Sequence, residues 1–257
     1  MASYLEQKFG LRGKVALVTG SSQGLGQGMA RALAQAGADV IVNGRVASKL
    51  APVVKEIEAF GGKATAIAAD LGNRADVQRL IEQAIAWQGH LDILVNNAGT
   101  IKRAPSADYT DADWDLVLNV NLNGVFTAAR AAGKHMVARG SGKIINIASL
   151  LTFFGGFTVP AYAASKGGVG QLTKALSNEW SSKGVQVNAI APGYMRTENT
   201  AALQADPVRS KEILSRIPAN RWGEPSDLEG AVVFLASSAS DYLSGHVMAV
   251  DGGWCGR

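Results

Sequence analysis

Ser149, Tyr162 and Lys166 have the types and the spacing to transfer a proton to or from a bound molecule. Tyr162 and Lys166 are four positions apart, so in a helix they lie on one face. An ammonium group beside a phenol favours the phenolate, and the pair therefore predicts a tyrosine that works as an acid or base near neutral pH. Because a Tyr-x-x-x-Lys match is by itself a weak signal, the surrounding residues must decide.

A glycine-rich segment follows the first apolar run of the chain. Residues 15–18 are typical of a buried parallel strand, and they lead through Thr-Gly-Ser-Ser-Gln-Gly-Leu-Gly at 19–26 into a predicted helix at 29–36. Glycines at 20, 24 and 26 allow a tight turn and the close approach of a pyrophosphate, which the helix N-terminus stabilises. The order of strand, turn and helix predicts a dinucleotide site; a purely structural turn is the alternative for the glycines alone.

The residues after the second apolar run indicate which dinucleotide. Asn43, Gly44 and Arg45 occupy the place where the adenosine ribose is bound, and none of them is a carboxylate. Arg45 can pair with the 2′-phosphate of NADP through a charge-assisted hydrogen bond, and the Ser21 and Ser22 hydroxyls are expected to assist. NADP(H) is therefore favoured over NAD(H), with a solvated loop arginine as the alternative.

The composition agrees with an enzyme of this kind. A chain of 257 residues that is 47% hydrophobic and 18% charged suffices for one domain over residues 1–257. It has no stretch as apolar as a membrane span and no secretory signal, so we expect a cytoplasmic protein with no membrane partner. A single cysteine, three scattered histidines and a net charge of +4 without a basic stripe argue against a disulfide, a metal site and a nucleic-acid partner.

Seven apolar runs alternate with helical patterns and predict a single-domain α/β, doubly wound Rossmann fold with a seven-stranded parallel sheet. The runs are residues 15–18, 40–42, 64–69, 93–95, 143–148, 185–190 and 247–250. Helix starts are predicted at Thr110 and at a capping box formed by Ser226 and Glu229. Ligands of such sheets bind beyond the carboxyl ends of the strands, where Asp70, residues 96–99 and Ser149 are found.

These motifs, in this order and at these spacings, resemble the short-chain dehydrogenase/reductase family over essentially the whole chain. The matching segments are residues 19–26, 96–99, Ser149, Tyr162 with Lys166, and Pro192-Gly193. The resemblance implies a catalytic set of Asn121, Ser149, Tyr162 and Lys166, although spacing alone does not favour Asn121 over Asn119. It implies that Ser149 binds the substrate carbonyl, Tyr162 supplies the proton, Lys166 holds the nicotinamide ribose and Asn121 fixes a water.

The family resemblance and the predicted fold together imply the binding residues. Substrate contacts are expected from Arg103, Ser149, Tyr162 and Tyr194, with a lid at about residues 193–217. The expected cofactor contacts are Gly20, Ser21, Ser22, Gln23, Gly24, Leu25, Gly26, Asn43, Arg45, Asp70, Leu71, Asn97, Ala98, Gly99, Tyr162, Lys166, Pro192, Gly193 and Thr197.

The substrate class follows from the loops around the cleft. Lys102 and Arg103 place two cations beside the cleft and suit a carboxylate, with a solvated loop as the alternative. Residues 101–103, 191–194, 216–223 and 250–254 resemble the sugar-acid branch of the family. We therefore expect an oxidoreductase that acts on acids of the gluconate or 2-keto-3-deoxygluconate type. The alternatives are a reductase of 4-deoxy-L-erythro-5-hexoseulose uronate and a 3-oxoacyl carrier-protein reductase, while the intact catalytic set disfavours a nucleotide-binding protein without turnover. Family members are commonly homotetramers, which is expected here also.

Overall fold

Seven parallel strands form one sheet in the computed structural model, which describes residues 3–257. Their order is β3-β2-β1-β4-β5-β6-β7, so the chain builds outward from β1 in one direction and then from β4 in the other. The strands are β1 (Val15–Val18), β2 (Asp39–Gly44), β3 (Ala64–Ala68), β4 (Ile93–Asn96), β5 (Gly142–Ile147), β6 (Val185–Pro192) and β7 (Val247–Val250). The predicted doubly wound fold is confirmed, and its strand order reverses between β1 and β4.

Helices cover both faces of this sheet. They are α1 (Tyr4–Phe9), α2 (Gly24–Gln35), α3 (Ala47–Ala59), α4 (Arg74–Gln88), α5 (Asp111–Leu118), α6 (Val125–Arg139), α7 (Pro160–Trp180), α8 (Ala201–Ala205), α9 (Pro207–Arg216) and α10 (Glu229–Ala236). Within residues 3–257, the helices lack the length and apolar character that crossing a bilayer requires.

The core consists of two layers because successive strand residues point to opposite faces. In β1, Ala16 and Val18 pack against α2, α3 and α10, while Val15 and Leu17 pack against α4, α6 and α7. All four side chains are buried, as expected for a strand covered on both faces.

A π-helical turn, Asn119–Gly124, joins α5 to α6 in one continuous helical segment. Such turns widen a helix locally and often occur at functional sites. The segment begins as predicted, since the backbone N–H of Asp113 donates to the Thr110 side chain at 3.1 Å.

The capping box expected at Ser226 is wrong. The helical segment starts earlier, with a 3₁₀ turn at Pro225–Leu228 that leads into α10, and its capping residues are Glu224 and Asp227. The fixed backbone angle of proline suits the first helical position, so Pro225 moves the start ahead of Ser226.

Candidate active site

A cleft of about 870 Å³ lies at the carboxyl ends of the strands, where the strand order reverses. Most of the predicted site residues line it. They are Gly20, Ser22, Gln23, Gly24, Leu25, Gly26, Asn43, Arg45, Asp70, Leu71, Asn97, Ala98, Gly99, Ser149, Tyr162, Lys166, Pro192, Gly193 and Thr197. Ser21, Arg103, Asn121 and Tyr194 do not line the cleft.

The first turns of α7 present Tyr162 and Lys166 to the cleft. The Lys166 Nζ atom is 5.7 Å from the centre of the Tyr162 ring and donates to the Ile147 carbonyl oxygen at 2.6 Å. Ser149, just beyond the end of β5, lines the same cleft, and its hydroxyl accepts from the Leu151 N–H at 3.2 Å. A hydroxyl, a phenol and an amine thus meet in one place.

Burial governs the proton affinities of this group. Burial lowers the pKa of Lys166 to about 8. Burial also raises the pKa of Tyr162, and this effect is opposed by a hydrogen bond to Ser149 and by the positive charge of Arg103. The expectation that Lys166 lowers the tyrosine pKa is therefore wrong for the protein alone, because burial disfavours the charged form of both groups.

Asn121 lies in the π-helical turn and is completely buried. Its amide oxygen accepts from the Thr100 N–H at 2.8 Å, and its amide nitrogen donates to the Thr100 carbonyl at 2.9 Å and to the Ser165 hydroxyl at 3.2 Å. These bonds tie the loop after β4 to α7. Both amide hydrogens are occupied, and Asn119 is the asparagine that lines the cleft.

The glycine turn between β1 and α2 leaves room for a ligand. Gly24 has a φ of +59°, and a Cβ atom there would meet only the Thr197 methyl group, at 3.9 Å. A Cβ atom on Gly26 would collide with the Gly20 carbonyl oxygen and lie 2.5 Å from the Asn97 amide nitrogen. The N-terminus of α2 therefore has space between it and the lid residue Thr197, and the donors and positive end of a helix dipole suit the diphosphate of a dinucleotide.

Asn43 stabilises this glycine turn through side-chain hydrogen bonds. Its amide oxygen accepts from the Gly20 N–H at 3.3 Å, and its amide nitrogen donates to the Ile67 carbonyl at 3.0 Å. The side chain is buried and joins the ends of β2 and β3 to the glycine turn. Asn43 therefore shapes the cleft through its hydrogen bonds to the protein.

Ser21 does not have the expected role of a phosphate contact through its side chain. Its hydroxyl is completely buried, donates to the Val18 carbonyl at 2.8 Å and accepts from the Asn43 N–H at 2.9 Å. Neighbouring residues of this extended turn point in opposite directions, so Ser21 faces the protein and Ser22 faces the cleft. Ser22 and the exposed Arg45 remain as candidate contacts to a 2′-phosphate.

The two cationic residues after β4, Lys102 and Arg103, have different partners. Lys102 forms an ion pair with Asp113 at 3.2 Å. Arg103 is exposed and donates to the Asn199 carbonyl at 3.3 Å, and its charge acts on Tyr162. Arg103 therefore lies at the mouth of the cleft, beside the acid/base candidate, rather than in its lining.

Tyr194 does not line the cleft, and its contact with the substrate stays a prediction. Its ring packs against Trp222 and Trp254, with ring centres 5.6 Å and 4.8 Å apart. It lines a smaller cavity of about 190 Å³ at the base of the lid. The aromatic cluster fixes this ring because large apolar surfaces meet there.

Four further lid residues line the cleft that no motif had singled out: Met195, Glu198, Asn199 and Thr200. Glu198 is bonded to Gln23 of the glycine turn. The lid was predicted as a segment, but the contacts of its individual residues depend on the 3₁₀ turn at Glu198–Thr200, which turns these side chains toward the cleft.

Several known proteins are similar to this chain over nearly its whole length. Residues 14–208 match the family described as short chain dehydrogenase. The 2-dehydro-3-deoxy-D-gluconate 5-dehydrogenase of Pseudoalteromonas atlantica is 55% identical over 98% of this chain and 99% of its own length, and the enzyme of that name from Escherichia coli (strain K12) is 52% identical over 97% and 98%. The crystal structure of a gluconate 5-dehydrogenase from Burkholderia cenocepacia J2315, in complex with NADP and tartrate, is 42% identical with a TM-score of 0.95, covering 99% of this chain and 100% of that one.

Proposed function

This chain belongs to the short-chain dehydrogenase family and is an oxidoreductase, and on that basis we propose that it interconverts a keto group and a hydroxyl group on a sugar acid with NADP(H). The observation that carries the proposal is the convergence of Ser149, Tyr162 and Lys166 in one cleft with the glycine turn. The acid is proposed to be of the gluconate or 2-keto-3-deoxygluconate type, since relatives 52–55% identical carry that activity in their names.

Arg103 supports a substrate with a carboxylate. Among residues 3–257, its guanidinium makes one hydrogen bond, a long one of 3.3 Å to the Asn199 carbonyl, so it keeps donors for a ligand. Its charge already reaches Tyr162, the proposed proton donor. A carboxylate held by Arg103 would place the neighbouring carbons of a short acid within reach of Tyr162.

Arg45 and Ser22 support NADP(H) rather than NAD(H). Both line the cleft beyond the end of β2, where a carboxylate would repel a phosphate, and Asn43 and Gly44 are uncharged. The guanidinium can form a forked, charge-assisted pair with the 2′-phosphate.

The proposed mechanism assigns one task to each side chain. The nicotinamide, when bound, donates or accepts the hydride. Ser149 donates a hydrogen bond to the substrate oxygen and stabilises the charge that develops there, while Tyr162 gives that oxygen its proton in reduction and removes it in oxidation. Lys166 orients the nicotinamide ribose through its ammonium group. Asn121 positions Thr100 and Ser165, and with them the loop after β4 and α7.

A homotetramer is also part of the proposal. The apolar residues Val169 and Leu176 of α7, and Trp254, are buried within the subunit, so they are not free to form an interface. Trp114 of α5 and Phe126 of α6 are about two-fifths exposed, at 38% and 41%, and supply apolar surface on adjacent helices. Sedimentation equilibrium tests the subunit number directly.

Initial rates with NADPH and NADH in parallel test the activity. We expect the fastest turnover with 2,5-diketo-3-deoxygluconate or 5-ketogluconate and NADPH, and less with 4-deoxy-L-erythro-5-hexoseulose uronate. Arg45→Ala should weaken NADPH binding about tenfold or more through loss of a charge-assisted pair and leave NADH binding unchanged, with Lys49→Ala as a nearby exposed control outside the cleft. Turnover of a 3-oxoacyl thioester without turnover of any keto-acid would overturn the proposed substrate class.

A further inference from the structure

An acidic side chain of the lid is bonded to the residue that begins the first cofactor helix. Gln23 is the N-cap residue of α2, and its side chain makes no capping hydrogen bond to that helix. Instead, its amide nitrogen donates to a carboxylate oxygen of Glu198. The first turn of α2 carries no acidic residue of its own.

This contact lies where an anion is favoured. Thr197 lies 3.9 Å from the Cβ position of Gly24, so the start of the lid sits directly over the N-terminus of α2. Gln23, Gly24, Thr197 and Glu198 all line the cleft. A negative charge next to the N-terminal turn of a helix is stabilised by the helix dipole, which is also what favours a diphosphate there.

The lid is anchored independently of this contact. Met195 is paired with Gly223 by a β-bridge, and Arg196 forms an ion pair with Glu224 at 3.0 Å. Both anchors precede Glu198 in the chain. The Glu198 carboxylate can therefore leave Gln23 while the base of the lid stays in place.

We propose that Glu198 is an internal competitor for the diphosphate of the cofactor. Its carboxylate, bonded to the Gln23 side chain, lies beside the anion-favouring N-terminus of α2 and links the lid to the glycine turn. A bound dinucleotide brings two phosphate charges to the same place, so the carboxylate must move away because like charges repel. Cofactor binding and the position of the lid are thereby coupled. This inference rests on the proposed use of NADP(H).

Isothermal titration of the purified enzyme with NADP⁺ tests the competition. Glu198→Gln keeps the size and hydrogen-bonding capacity of the side chain but removes its charge. We expect its Kd for NADP⁺ to fall about two- to fivefold, the range that a charge at a helix terminus supports. The Kd for adenosine 2′-monophosphate, which carries the 2′-phosphate but no diphosphate, should stay the same as in the wild type.

A matched control separates a local effect from a general one. Glu212→Gln removes the same charge from α9 of the lid, at an exposed ion pair with Arg209 outside the cleft lining. It should change neither Kd. Equal or weaker NADP⁺ binding by Glu198→Gln, or the same gain in Glu212→Gln or for adenosine 2′-monophosphate, overturns the competition while leaving the proposed function intact. A wild-type enzyme that binds no NADP(H) overturns the proposed function itself.

Discussion

The phenol of Tyr162 is the group on which the proposed chemistry depends most directly. Tyr162→Phe removes one oxygen from a side chain that is packed against Lys166. We expect turnover of the keto-acid to fall by at least about 10²–10⁴-fold, the usual contribution of a positioned acid or base, with the Kd for NADPH nearly unchanged. Steady-state rates and fluorescence titration with NADPH measure the two effects.

Tyr109→Phe is a matched control for that substitution. The Tyr109 hydroxyl donates to the Lys102 carbonyl at 3.3 Å, close to the substrate loop but outside the cleft lining. Its loss should leave turnover within about twofold, as for most substitutions away from a site. If Tyr162→Phe retains the wild-type rate, Tyr162 is not the proton donor.

The ammonium group of Lys166 should make cofactor binding depend on pH. Burial lowers its pKa to about 8, so the charge is present below that pH and is lost as the pH rises through it. If the ammonium holds the ribose hydroxyls, the Kd for NADPH should rise up to about tenfold between pH 7 and 9.5, because a charge-assisted bond becomes a neutral one. Lys166→Met, which has no titrating group there, should bind weakly and show a flat profile. A wild-type profile as flat as that of the variant contradicts this role.

At the scale of the elements, the π-helical turn between α5 and α6 gives Asn119 and Asn121 different surroundings. Asn121 has three hydrogen bonds in a fully buried position, whereas Asn119 is exposed and lines the cleft. Asn121→Ala leaves the Thr100 backbone groups without these partners, so we expect a loss of about 2–4 kcal/mol in the free energy of unfolding. Asn119→Ala should change that free energy by less than about 0.5 kcal/mol.

Urea-induced unfolding distinguishes the two variants, since a shift in midpoint at constant slope reports a change in stability. Equal midpoints for Asn121→Ala and Asn119→Ala would mean that the buried hydrogen bonds do not hold the loop after β4. A larger loss in Asn119→Ala would reverse the assignment.

The elements themselves were largely predictable from the chain, while the direction of single side chains was not. Apolar runs bounded by turn residues predicted β1 and β7 with the observed bounds. β1 is buried on both faces, which requires a continuous apolar segment, whereas β7 is a partly buried edge strand. Ser21 and Ser22 have the same chemistry and adjacent positions, yet only Ser22 faces the cleft. That choice depends on the Val18 carbonyl and the Asn43 N–H, which the fold brings to Ser21 from β1 and β2.

Contacts between segments that are distant in the sequence could not be predicted either. Lys102 and Arg103 are indistinguishable as neighbouring cations, but Asp113 neutralises Lys102 and leaves Arg103 at the cleft mouth. The aromatic character of Tyr194 was visible in the chain, whereas its packing against Trp222 and Trp254 requires three segments to meet. Family resemblance supplied Asn121, and the structure shows what its side chain holds together.

At the scale of the whole molecule, the two ends of the sheet have different tasks. The carboxyl ends of the strands carry the cleft, and the amino ends carry a buried charge centre at Asp92. One Asp92 oxygen accepts from the Val15 N–H at 2.9 Å, and the carboxylate also meets His90 and Arg139, each at 3.2 Å. This group joins the start of β1 to the start of β4 and the end of α6.

Asp92→Asn should therefore lower the free energy of unfolding and leave the activity unchanged. The substitution keeps the shape of the side chain but leaves Arg139 without its counter-charge, so we expect a loss of about 1–3 kcal/mol in the free energy of unfolding. At a fixed protein concentration this lowers Tm by about 2–4 °C for each kcal/mol. Because the cleft lies at the opposite end of the strands, kcat and KM at 25 °C should stay within about twofold of the wild type. Glu212→Gln, at an exposed ion pair, should leave Tm nearly unchanged. A fall in kcat that accompanies the fall in Tm would show that the amino ends of the strands are coupled to the cleft through the sheet, and the division of tasks between its two ends would then be wrong.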